Sequence, residues 1–186
     1  QAVKETAAAR GLHQPFVLVV GEGPWKIVYK SHVKSWTPEN GTQAVADAFA
    51  GTEEEIDAVM CGNDGLAGYV IRSLSERQLA GEVVVVGQDA DLEACQRIVE
   101  GTQSMTVYKP INDLAKEAAE CTVKLARGEQ IVGDVLEASD VKENEDGQEV
   151  PYYGLEPVAV TAANMDDVII ASGFHSREEV YLNVEN

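Results

Sequence analysis

The chain has 186 residues, 45% of them apolar, and a formal net charge of −18 from 32 acidic and 14 basic side chains. That length and apolar content suit one good-sized globular domain, and no apolar run approaches the length of a membrane span. The charge argues against nucleic acid and anionic membrane as partners, because phosphate contacts need clustered Lys and Arg.

Residues Gln1 to Arg10 read as a helix stopped by Gly11. Phe16 to Val20 is a short apolar run of the buried-strand type, and Trp25 to Tyr29 is a second strand. Thr37-Pro38-Glu39 opens a helix, with Thr37 as cap and Pro38 in the first turn. Ala44, Val45, Ala48 and Phe49 give it an apolar face, and Gly51 ends it. Ile56 to Cys61 is the next strand. A helix from about Asp64 carries Leu66, Ala67, Val70, Ile71 and Leu74 at helical spacing. Val83 to Val86 reads as a central parallel strand covered on both faces. A helix from about Asp91 turns Ala94, Cys95, Ile98 and Val99 inward and stops at Gly101. Met105 to Tyr108 is a strand, and Ile111 to Ala126 is a long helix ended by Gly128. Asp140 to Glu149 is an acidic loop, Pro157 to Thr161 a late strand, and Asn164 to Ile170 a short helix.

Alternating strands and helices predict an α/β fold with a doubly wound parallel sheet. One place breaks the pattern. Phe16–Val20 and Trp25–Tyr29 are separated only by Gly21-Glu22-Gly23-Pro24. Parallel neighbours need a crossover of about a dozen residues or more, so either a hairpin forms here or a helix is missing. The chain opens Gln-Ala-Val-Lys, without Met or a signal peptide, as expected of a mature or trimmed product. Of the three cysteines, Cys95 and Cys121 fall on apolar helix faces and read as buried, inert thiols; no C-x-x-C occurs.

Four short segments stand where a strand gives way to a loop or helix. They offer an indole at Trp36, an amide at Asn63, a carboxylate at Asp89 and an ammonium at Lys109. Ligands of open α/β sheets bind at the carboxyl ends of strands, and these four groups together suit a polyhydroxylated ligand. Each also has a plainer reading. Asp64 is the expected helix cap, which leaves the Asn63 amide to donate to and accept from a hydroxyl. Asp91 is likewise the natural cap, which leaves Asp89 to accept charge-assisted bonds. Gly87 permits a tight turn or a close ligand approach. By position alone Lys109 is a surface lysine. Trp36 reads either as core or as a face for a pyranose ring.

Catalysis finds no comparable support. Asp89 and Asp91 are two apart beside a cap, unlike the carboxylate pairs of glycoside hydrolases. His13, His32 and His175 are scattered and sit beside no metal-ligand pattern. Residues 140–149 lack calcium-loop spacing. Gly21-x-Gly23 has no third glycine opening a helix, and no nucleophile motif occurs. The expectation is a binding protein, not an enzyme, with no cofactor and no metal.

Taken together, Asn63-Asp64-Gly65, Val86-Gly87-Gln88-Asp89-Ala90-Asp91-Leu92, Arg97-Ile98-Val99 and the long run from Gly101 to Pro110 resemble the substrate-binding proteins of bacterial sugar ABC transporters. Within that family they resemble the D-xylose-binding branch, and Gly173-Phe174-His175-Ser176 is similar to its ending. The resemblance implies a type I periplasmic-binding-protein fold, with one lobe largely complete and the other missing most of its sheet. It implies that residues 1–109 form lobe two, 110–150 belong to the other lobe, and 151–186 are a return segment and tail. The helix after Pro110 would then pack outside the sheet. An interruption is expected at Pro24–Trp25, where the family carries an Asp-x-Asn segment and a long helix. By the same resemblance Trp36 stacks on the sugar, while Asn63, Asp89 and Lys109 hydrogen-bond its hydroxyls. The implied ligand is a monosaccharide, D-xylose. The implied partners are an ABC permease and a chemoreceptor or sensor kinase. The implied location is the periplasm, or the outer face of the cell as a lipoprotein.

Nothing here matches the lysine and the acidic–arginine pair with which the family's first lobe grips the sugar. A half-site implies weak or no sugar binding by this chain alone. The alternative is the effector-binding domain of a lactose-repressor-type regulator, which shares the fold and an Asn-Asp-Gly-like motif. The Tyr108-Lys109-Pro110 run favours the transporter family.

Overall fold

A computed structural model describes residues 16–21, 26–33, 36–53, 55–129, 141–143, 147–151 and 154–184. The expected helix at residues 1–10 and the expected interruption at Pro24–Trp25 lie outside them. The chain forms two compact units, Gln1–Tyr108 with Ala159–Asn186, and Lys109–Val158.

The first unit is built on a six-stranded sheet. Its strands are β1 (Phe16–Gly21), β2 (Lys26–His32), β3 (Ala58–Cys61), β4 (Val84–Gln88), β5 (Met105–Tyr108) and β8 (Val158–Val160), in the order β2-β1-β3-β4-β5-β8. β3, β4 and β5 run parallel, joined by α2 (Asp64–Ser75) and α3 (Leu92–Glu100) as crossovers. β1 departs from the all-parallel expectation: it is antiparallel to both β2 and β3, so the sheet is mixed. The physical reason is length, since the four residues between β1 and β2 cannot carry a crossover. Two reversals bring β2 back to the direction of β3.

The helices bury the faces their periodicity predicts. α2 buries Leu66, Ala67, Val70, Ile71 and Leu74, and α1 (Asn40–Gly51) buries Ala44, Val45 and Ala48. α1 lies close on α2: a Cβ built on Gly41 would stand 3.1 Å from the Leu66 carbonyl oxygen. α3 buries Ala94, Cys95 and Ile98, with Val99 only half-buried. Along the sheet, Val59, Cys61, Val85, Thr106 and Tyr108 are buried on one face. The expectation of two covered faces fails at Val84, which is 46% exposed.

Helix starts differ from expectation as well. α1 begins at Asn40, and Thr37 does not cap it. The Thr37, Pro38 and Glu39 carbonyls instead accept from the amides of Asn40, Gly41 and Thr42 in tight turns. The return segment adds β8, a 3₁₀ turn (Ala162–Asn164), a π-helical turn (Asp166–Ile170) and the short α5 (Arg177–Val180) capped by Ser176. It buries Val160, Met165, Ile169 and Val180.

In the second unit, α4 (Ile111–Ala126) has no buried residue, and Ile111, Leu114, Val123 and Leu125 are exposed along it. Cys121 on α4 is therefore only partly buried, contrary to expectation. β6 (Val141–Glu143) and β7 (Glu149–Pro151) pair antiparallel where a loop was expected.

Candidate functional site

Because β2, β3, β4 and β5 share one direction, their carboxyl ends share one edge of the sheet. Asn63 and Asp89 follow β3 and β4 there, and Trp36 emerges after β2. Lys109 follows β5 directly in the chain and opens the second unit.

Asn63, not Asp64, caps α2. Its Oδ1 accepts the Leu66 amide at 2.9 Å. The cap uses the carbonyl side of the side chain, so the amide NH₂ is the group suited to a sugar hydroxyl oxygen. Trp36 is 44% exposed and sits at φ 55°, in the left-handed region. Its loop lies against the start of α2, where a Cβ built on Gly65 would meet Pro38 Cγ at 3.4 Å. The exposed indole is not part of the core.

Asp89 sits at φ 106° and Ala90 at φ 56°. Among the described residues only Trp36, Gln78, Asp89 and Ala90 combine a side chain with positive φ. Such backbone costs about 1–3 kcal/mol per residue and persists only where its surroundings fix it. Here they do. The Asp89 amide donates to Val107 O at 2.9 Å and the Ala90 amide to Thr106 Oγ1 at 3.1 Å. The Asp91 amide donates to Asp64 Oδ2 at 3.0 Å. Asp91 occupies the N-cap position of α3 without a side-chain cap bond, contrary to expectation.

Sequence reasoning missed the part played by Asp64. It is 1% exposed. Besides the Asp91 amide, its carboxylate accepts from Thr106 Oγ1 at 2.7 Å and Gln103 Nε2 at 2.9 Å. Arg97 donates to Gln103 Oε1 at 3.0 Å and to Asp64 O at 3.1 Å. One carboxylate thus ties together the turns after β3 and β4 and the start of β5. Gly87 serves the same contact: a Cβ there would fall 2.1 Å from Asp64 Oδ1. The close approach it permits is by this carboxylate.

Burial raises the Asp64 carboxyl above its ordinary range, against the lowering effect of its hydrogen bonds. Asp91 is raised by partial desolvation first, then by the charges of Asp89 and Glu93. The folded state therefore holds these protons more tightly than the unfolded chain. Their stabilisation is full below the ordinary carboxylate range and is lost as pH rises through the raised values. The melting temperature is expected to climb as pH falls from neutrality toward the ordinary carboxylate range, and to climb less in Asp64→Asn. A flat or falling melting temperature over that interval would show that Asp64 ionises without cost. Burial also raises the Cys61 thiol, and it pushes Cys95 to about 12, so both are inert.

A cavity of about 380 Å³ opens between α2 and α3, lined by Gly65, Gly68, Arg72, Asp91, Glu93 and Arg97 among others. Its lining contains none of Trp36, Asn63 and Asp89. Among the described residues, no group of three His, Cys, Asp or Glu side chains is placed to hold a metal ion.

The chain is similar to known proteins in sequence and in fold. The D-xylose-binding periplasmic protein of Haemophilus influenzae is 40% identical over 163 residues, covering 88% of this chain and 47% of that protein. The D-xylose-binding periplasmic protein of Escherichia coli is also 40% identical, over 87% of this chain and 47% of its own length. The chain spans about half the length of these curated relatives. Among solved structures, an ABC transporter solute binding protein from Clostridium phytofermentans with bound β-D-glucose superposes with a TM-score of 0.62. It is 26% identical, over 78% of this chain and 44% of that one. A carbohydrate transporter solute binding protein from Chloroflexus aurantiacus in complex with D-glucose gives a TM-score of 0.64 at 26% identity, over 77% and 42%. The periplasmic binding protein domain family matches residues 3–130. With a fold of the same type and that match over more than half of its length, the chain belongs to the periplasmic binding protein domain family.

Proposed function

We propose that this chain supplies one sugar-contacting lobe of a periplasmic receptor that binds D-xylose and delivers it to an ABC importer. In this reading residues 1–109 are that lobe, residues 110–150 belong to the other lobe, and residues 151–186 are the return segment and tail. The observation that carries it is the fixed, left-handed Asp89 beside Asn63 at one sheet edge. A carboxylate there accepts two hydroxyl hydrogen bonds, and the Asn63 NH₂ donates to a third oxygen. Trp36 offers its exposed face to the C–H side of the ring. Lys109, the residue after β5, is the fourth contact, as a donor to a ring hydroxyl. The set binds and does no chemistry on the sugar.

The relatives at 40% identity are xylose binders by name, while the two solved neighbours carry glucose. D-xylose and D-glucose share their configuration at C2, C3 and C4 and differ in the hydroxymethyl at C5. Asn63, Asp89 and Lys109 serve the shared hydroxyls of either sugar and Trp36 the ring face, so discrimination falls to whatever closes on C5. Closure of two lobes around the ligand supplies that enclosure. The test is calorimetric titration of the two-lobed protein with D-xylose, D-ribose, L-arabinose, D-glucose and D-galactose. D-xylose is expected to bind most tightly. A hexose binding more tightly than every pentose would overturn the assignment.

A further inference from the structure

The Asp89–Ala90 turn has one more restraint, and it comes from the far end of the chain. His175 lies after the π-helical turn. Its Nε2 stands 2.8 Å from Ala90 O. A carbonyl oxygen can only accept, so Nε2 carries the proton and donates. Phe174 packs against Tyr108, the last residue of β5, with ring centroids 4.9 Å apart, and against the His175 ring at 4.5 Å. Two further bonds hold the same segment on α3: Gln96 Nε2 donates to Glu179 O at 2.9 Å, and Asn183 Nδ2 to Glu100 Oε1 at 2.8 Å.

The restraints on the turn are complementary. Val107, Thr106 and Asp64 take up three successive amides, of Asp89, Ala90 and Asp91. Two of these bonds come from β5 and one from the start of α2. His175 takes the carbonyl of Ala90, the second of the two left-handed residues. Cys95 Sγ also reaches that oxygen, at 3.6 Å, but a thiol is a weak donor. Without His175 the Ala90–Asp91 peptide keeps its amide bond and loses its strong carbonyl partner. The turn can then relax toward ordinary backbone, and the Asp89 carboxylate moves with it.

We infer that His175 is a positioning residue of the sugar site: it donates Nε2–H to Ala90 O and so fixes the left-handed turn that aims Asp89. This rests on the reading of Asp89 as a sugar contact. The role needs a donor at the Nε2 position and no change of charge. Glutamine places an N–H there, while asparagine stops short of it.

The experiment titrates the two-lobed protein with D-xylose. His175→Ala is expected to weaken binding about tenfold, the scale of one neutral hydrogen bond. His175→Gln is expected to keep most of the affinity, and His175→Asn, a milder change that still cannot reach, to behave like His175→Ala. In an Asp89→Asn background, His175→Ala is expected to cost less than about twofold, because its effect passes through Asp89. An equal loss in both backgrounds, or no rescue by glutamine, overturns the inference and leaves His175 a stability role. Wild-type affinity in His175→Ala or His175→Asn, with Asp89→Asn weakened, sinks the inference alone. Wild-type affinity in Asp89→Asn sinks the reading of Asp89 and the inference together.

Discussion

Asp89→Ala, in the two-lobed protein, is expected to leave almost no measurable xylose binding. Each charge-assisted hydrogen bond contributes roughly 1.5–3 kcal/mol, and a carboxylate accepting two hydroxyls loses both at once. The truncation also strands sugar hydroxyls without acceptors in a closed site, which adds to the loss. Trp36→Ala is expected to cost less, because a stacking face orphans no polar group. Titration of both variants against wild type reads the difference. Affinity in Asp89→Ala within about threefold of wild type would mean that Asp89 faces no ligand, whatever the backbone around it does.

The second large effect is on stability, at a residue with no side chain. Gly87→Ala is expected to destabilise the fold by about 2–6 kcal/mol, because roughly 1–3 kcal/mol attends each buried polar group left unpaired and Gln103 Nε2 alone keeps a second acceptor, Met105 O. The new Cβ would stand 2.1 Å from Asp64 Oδ1, so the carboxylate must leave. Thr106 Oγ1, Gln103 Nε2 and the Asp91 amide then lose an acceptor together. Asp64 is a short side chain at the first position of α2, so a displaced carboxylate cannot keep all three partners. Denaturant unfolding at neutral pH measures the change. Adding Asp64→Ala to Gly87→Ala is expected to cost far less than it does in the wild-type chain, because the network is already broken. A Gly87→Ala midpoint equal to wild type would show that Asp64 does not sit where it is described.

Much of this was readable in the sequence, and the failures have causes. The stripe Leu66, Ala67, Val70, Ile71 and Leu74 gave α2 and its buried face, because helical burial is a local periodic property. Strand-to-helix alternation likewise placed Asn63 and Asp89 just past strand ends. Strand direction was not local. An apolar run such as Phe16–Val20 reads the same both ways, and only the short connection to β2 hinted at the reversal of β1. Asp64 was hidden for a related reason. Its partners Gln103 and Thr106 lie 39 and 42 residues away, and an Asp before a helix looks like a cap. Val84 misled because four valines in a row look central whether or not helices cover both sides. His175 was visible as a scattered histidine and as part of a tail similar to the family's ending, but nothing in a sequence ties residue 175 to residue 90.

The return segment also sets an order of events during synthesis. A ribosome releases residues 16–108 first, with every proposed sugar contact except Lys109. These residues lack β8 and the apolar groups of Val160, Met165, Ile169 and Val180, all buried in the finished unit. The 50 residues of the second unit, Lys109–Val158, must emerge before those groups arrive. A nascent chain cannot close this unit early, as a contiguous domain would during elongation. The unit that bears Asn63 and Asp89 therefore stays open until the segment from Ala159 onward has emerged.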